Sequence, residues 1–98
     1  MKIKMVDCKN KEVVRVKIDI DKFTFIVVPE IVDNRFSYLG NRLMNIRKKY
    51  MQKYINNEFL SNEEMEYKLK NEIFNNLTNE CEHLHRTEGL KYYTVIGG

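Results

Sequence analysis

Ninety-eight residues and 11.8 kDa leave room for a single domain spanning 1–98. Apolar side chains make up 43% of the chain and charged ones 32%, which supports one thin two-layer core and excludes a large enzyme, a multidomain scaffold or a repeat array. Lys and Arg number 17 against 14 Asp and Glu, and a balance of +3 is too mild to imply a nucleic-acid partner by itself.

The first third reads as strands. Ile3 and Met5 alternate with Lys2 and Lys4, and Lys9-Asn10-Lys11 supplies a polar turn. Val14, Val16, Ile18 and Ile20 alternate with Arg15, Lys17 and Asp19, a period of two with one wet face. After a turn at Asp19–Lys22, the run Phe23 to Val28 is apolar on both faces. It predicts a central strand, or one whose second face is covered, ending at Pro29.

The middle is helical. Phe36, Leu39, Leu43, Ile46, Tyr50 and Tyr54 recur at spacings of three and four, with Asp33 or Asn34 as N-cap and Asn56-Asn57 as the stop. Gly40 weakens the first turn and argues for a start near Asn41. Ser61 followed by Glu64 predicts a capping box, with Leu60 and Met65 as a hydrophobic staple. Met65, Leu69, Ile73, Leu77, Cys81 and Leu84 then form a second buried stripe, stopped by Gly89, and Leu90 to Ile96 reads as a last strand. The fold class is α+β: a small antiparallel sheet of three N-terminal strands and one C-terminal strand, packed against an αα-hairpin, in the order β-β-β-α-α-β.

Charge is segregated along the hairpin. Between Asp33 and Glu58 there is no acid, but there are Arg35, Arg42, Arg47, Lys48, Lys49 and Lys53; from Glu58 to Glu88 eight acids face three bases. On a helix Arg42, Lys49 and Lys53 share a strip with Tyr38 beside it, a pattern that can follow a phosphate backbone and stack on a base. The alternative is a solvated face paired with the acidic second helix. Arg47 projects into the apolar arc of Leu43, Ile46, Tyr50, Met51 and Tyr54. It must be paired with Glu72 or a strand carboxylate, or the arc must face a partner, because Arg and Tyr are enriched at interface centres. Met44, Met51 and Ile55 widen that arc further, which is compatible with a homodimer.

Chemistry is sparse. Cys81, His83 and His85 form a Cys-x-His-x-His run, but on a helix only Cys81 and His85 are neighbours, so no metal site and no cofactor is expected. Ser37 and Ser61 are the only serines, and Ser61 reads as a cap; no glycine-rich phosphate loop occurs, and no catalytic residue is assigned. Two cysteines, Cys8 and Cys81, suggest reduced thiols, and the opening residues lack a secretory h-region, so a cytoplasmic protein is expected, with no membrane partner. Alanine and tryptophan are absent while Asn, Lys and Ile abound, a codon bias of AT-rich genomes such as low-GC bacteria and their phages or mobile elements.

The ending Val95-Ile96-Gly97-Gly98 resembles the C-termini of ubiquitin-like modifiers and sulfur carriers, and the opening hairpin Met1 to Ile20 is similar to a β-grasp start. The resemblance implies an exposed diglycine tail; against it, a third strand precedes the first helix. The expected function is that of a small non-enzymatic protein-binding module of phage or mobile-element type. It is expected to dock on a larger host protein, of a defence or nucleic-acid-processing kind, through Arg47, Tyr50, Met51 and Tyr54, with inhibition of that protein as the expected effect. The alternative is a nucleic-acid binder using Arg42, Lys49, Lys53 and Tyr38.

Overall fold

A computed structural model describes residues 1–58, 61–88 and 92–97. The elements run β1 (Lys2–Val6), β2 (Glu12–Ile20), β3 (Phe25–Ile31), a 3₁₀ turn (Asn34–Phe36), α1 (Tyr38–Ile55), α2 (Asn62–Glu88) and β4 (Thr94–Gly97). The strands form one antiparallel sheet in the order β3-β2-β1-β4, and both helices lie on one of its faces. The α+β class and the β-β-β-α-α-β order are those read from the sequence.

Alternation sets the two faces. Ile3 and Met5 pair with Val16 and Val14, Ile18 pairs with Val27, and all six are buried beneath the helices. Asp7 shapes the first turn, accepting from the amides of Lys9 and Lys11 at 2.9 Å each, while Asn10 takes the left-handed conformation at φ 60° that asparagine tolerates. Asp21 does the same for the second turn by accepting from Phe23. Phe23 belongs to that turn and is 89% exposed.

The third strand departs from expectation. It is an edge strand, not a central one, and it passes through Pro29 to Ile31. Register explains the proline. The amide of Ile18 donates to Met1, just before β1, whereas the carbonyl of Val13 accepts from Val32 and Asp33 beyond β3. Even-numbered residues of β2 therefore turn their backbone groups to β1, and odd-numbered ones to β3. Pro29 sits opposite Val16, an even residue, so its missing N–H would have faced the open edge and no ladder bond is lost. The second apolar face of this strand is not covered by helix: Val28 is exposed and Ile26 half-buried.

Asp33 caps the 3₁₀ turn by accepting from the amide of Arg35. Helix α1 starts before Gly40, at Tyr38, and buries Leu39, Leu43, Ile46 and Tyr50. It ends in a Schellman motif: Glu58 donates to Lys53 and Asn57 to Tyr54, with Asn57 left-handed at φ 56°. Ser61 Oγ accepts from the Glu64 amide at 3.1 Å, forming one half of the expected capping box; the Glu64 carboxylate pairs with Lys68 one turn on. Leu60 of the staple, the Gly89 stop and the first residues of the expected last strand, Leu90 and Lys91, lie outside the described residues. Every apolar residue predicted for the second stripe, Met65 to Leu84, is buried. Helix α1 packs on β3, and α2 packs on β2 and β4.

A Cβ added at Gly40 would meet only Ile31 Cγ1 at 3.8 Å, an ordinary van der Waals distance. Gly40→Ala is therefore expected to stabilise the fold by about 0.5–1 kcal/mol through helix propensity, measured as a shift in denaturant midpoint at constant slope.

Candidate functional site

Three of the four residues expected to face a partner are engaged within the fold. Tyr50 is buried in the core, and burial, with the Glu72 carboxylate beside it, pushes its hydroxyl pKa up. Tyr54 packs on Phe25 with ring centroids 5.3 Å apart, and its hydroxyl donates toward the carbonyls of Asp21 (2.9 Å) and Lys22 (3.1 Å), clasping the β2–β3 turn. Arg47 finds neither Glu72 nor a strand carboxylate: its Nε donates to the Val27 carbonyl at 2.9 Å. Met51 is half-buried. The arc is wide because α1 must touch both β3 and α2, so its breadth does not make it a docking face. Of the residues that widen the arc, Met44 and Ile55 are exposed.

The basic strip is drawn into the seam between the helices. Arg42 Nη1 lies 2.8 Å from Glu80 Oε2, and the Tyr38 hydroxyl donates to Glu80 Oε1 at 2.5 Å. Glu80 is the one buried charge among the described residues, at 5% exposure, and these two partners satisfy both its oxygens. Lys49 lies 2.5 Å from Glu72. Burial opposes the charged form of Glu72, but hydrogen bonds from Lys49 and Tyr50 and the charges of Lys49 and Lys53 outweigh it, holding this carboxyl below its ordinary pKa. Arg42, Lys49 and Tyr38 thus have partners inside the chain, and Lys53 lies within the field of Glu72.

The sheet's other face is the open surface. Across its centre Glu12 joins Lys4 and Arg15, both at 3.0 Å, and Arg15 reaches Glu30 at 2.8 Å. The Arg15 guanidinium holds the Glu30 carboxyl below its ordinary pKa. One row away Lys2 stands directly opposite Lys17, and neither has an ion pair among the described residues. Lys2, Lys17, Arg15, Ile26, Val28 and Glu30 line a shallow depression of about 380 Å³. Like charges at directly opposed positions destabilise a sheet. Period-two patterning identified Lys2 and Lys17 as wet-face residues, but only the cross-strand register places them side by side.

The remaining candidates have local uses. Ser37 Oγ donates to the Asn34 carbonyl, and Ser61 caps α2. Cys81 is buried and His83 is exposed, and among the described residues no cluster of three or more His, Cys, Asp or Glu is arranged to hold a metal. Gly97 is paired opposite Ile3 inside β4, so the exposed tail that the ubiquitin-like resemblance requires is not formed there; Gly98 lies outside the described residues. No described helix is long and apolar enough to cross a membrane. Comparison with protein families, curated proteins and solved structures gave no match.

Two measurements check this geometry. Arg42→Ala strands a buried carboxylate with Tyr38 alone and is expected to cost about 1–3 kcal/mol, against about 0.5 kcal/mol for Lys49→Ala on the more exposed pair, both read from denaturant unfolding. Burial, reinforced by Glu80 and Glu82, pushes the Cys81 thiol up to about 11. Under native conditions at neutral pH a maleimide should therefore label the exposed Cys8, and Cys81 should react only after denaturation, as peptide mass mapping would show.

Proposed function

We propose that this protein is a non-catalytic docking module that engages a larger protein through the open face of its sheet. The observation that carries this reading is the Lys2–Lys17 apposition, with neither lysine in an ion pair among the described residues, beside the apolar side chains Ile26 and Val28. An acidic group of a partner seated between the two lysines relieves their repulsion, and an apolar group beside it covers Ile26 and Val28. The rest of the face is already neutralised by the Lys4–Glu12–Arg15–Glu30 network, so charge recognition concentrates at this one row. Both serines have structural hydrogen bonds, which favours binding over catalysis. A nucleic-acid reading has less support, because Arg42 and Lys49 are engaged by Glu80 and Glu72.

The test is affinity capture from a nuclease-treated lysate of a low-GC bacterium, with the unmodified chain and with Lys2→Glu/Lys17→Glu. The reversal is expected to lose a specific protein that the unmodified chain retains, with moderate salt sensitivity. An unchanged captured set overturns the proposal. Capture that disappears on nuclease treatment moves the function to nucleic acid.

A further inference from the structure

The two edges of the sheet are treated differently. On β3 the outward-facing positions include Pro29, which has no N–H, and Val27, whose carbonyl is occupied by Arg47. Both devices blunt an edge against added strands. The β4 edge has neither. Met1, Ile3 and Met5 turn their backbone groups to β2, so Lys4 and Val6 turn theirs to Ile96 and Thr94. Val95 therefore directs its N–H and C=O outward, and neither has a backbone partner among the described residues.

Beside this edge lies a cleft of about 260 Å³ between α2 and β4. Phe74, Thr78, Cys81 and His85 line it from one stripe of α2, and Tyr93 and Val95 line it from the strand side. Thr78 Oγ1 and His85 Nε2 are buried here without a hydrogen-bond partner among the described residues. Buried polar atoms are rarely left so, and each costs about 1–3 kcal/mol until it is satisfied. The ends of the cleft carry opposite charges. Glu82 lines the end near Thr94, and Lys70 lies beside Gly97 at the other; neither has an ion pair among the described residues.

We propose that the β4–α2 cleft binds an extended segment of a partner polypeptide, which adds to β4 as a strand and seats an aliphatic side chain beneath α2, opposite Val95. A residue exchanging both backbone bonds with Val95 projects its side chain to the helix side of the sheet, into the cleft. The stripe from Phe74 to His85 spans about 16 Å at 1.5 Å per residue, which an extended segment of about five residues covers. Charge fixes its direction: basic residues meet Glu82 and acidic residues meet Lys70. A second copy of this chain is a poorer occupant, because its own β4, Thr94–Gly97, carries no charge to answer either end. The cleft is separate from the Lys2–Lys17 row, and the two sites stand or fall independently.

The experiment is selection of a phage-displayed library of random peptides on the full chain, followed by fluorescence anisotropy with the enriched peptide. The expected consensus has an aliphatic residue flanked by acidic residues on one side and basic residues on the other. Binding should weaken at least about tenfold in Val95→Pro and in Thr78→Arg, and survive in Lys2→Glu/Lys17→Glu. Val95→Pro takes away the outward N–H, as Pro29 does on the opposite edge, together with part of the half-buried Val95 side chain; should it fail to fold by circular dichroism, Thr78→Arg decides. Failure to enrich any sequence, or equal binding by the variants that fold, overturns the proposal. A dimer of the unmodified chain in light scattering, abolished by Val95→Pro, overturns it in favour of a second copy.

Discussion

Two helices can cover only one face of a four-stranded sheet, and the rest of the molecule follows from that. Ile3, Met5, Val14, Val16 and Ile18 must share the covered face, which fixes the register of β1 against β2 to the residue, since a slip by one would turn all of them into water. The opposite face must then stay wet, and the chain supplies it with Lys2, Lys4, Arg15, Lys17, Asp19, Glu12 and Glu30. Ion pairs on such a surface contribute little stability. Their effect is to neutralise one another, so that Lys2 and Lys17, directly opposed and without an ion pair among the described residues, stand out as a charge feature of that face.

The helical layer is held by contacts of unequal weight. Burial of the two apolar stripes dominates, and at the seam between the helices the Glu80 carboxylate is satisfied by Tyr38 and Arg42. Removing either partner would leave part of a buried charge unmet, which makes this contact more sensitive than the exposed Lys49–Glu72 pair. At the other side of α1, Tyr54 and Arg47 reach backbone carbonyls of the β2–β3 turn and of β3, fixing the helix against the strand edge. Tyr38, Arg42, Arg47, Lys49 and Tyr54, which give α1 much of its aromatic and cationic character, are side chains that bind it to the sheet and to α2.

Periodicity makes much of this legible in the sequence alone. The period-two run of β2 and the spacing of three and four in the helices located the elements and nearly every core residue, because burial is encoded within each segment's own sequence. What failed depends on relations between segments. Pro29 ends a strand only if its N–H would have met a neighbour, and that is decided by pairing with Val16. Arg47 bonds a backbone carbonyl, a group every residue carries, so no sequence pattern marks it. Lys2 and Lys17 lie far apart in the chain, and their apposition needs the β1–β2 register. The capping motif at Ser61 was readable because it is local; the tertiary use of Tyr54 was not.

The contrast between the two edges bears on how binding at β4 would work. A strand of four residues offers few outward backbone groups, and short edge strands are themselves a protection against indiscriminate pairing. Backbone bonds to β4 alone would therefore hold a segment weakly and without preference for sequence. Selectivity has to come from the cleft, where a side chain displaces solvent from Phe74 and Val95. Gly97 contributes by permitting close approach: a Cβ there would meet the Phe74 ring at 3.3 Å, so glycine lets the strand lie tightly against α2. An edge that is short, unblocked and bordered by unsatisfied polar atoms suits reversible recognition of a particular segment better than permanent sheet extension.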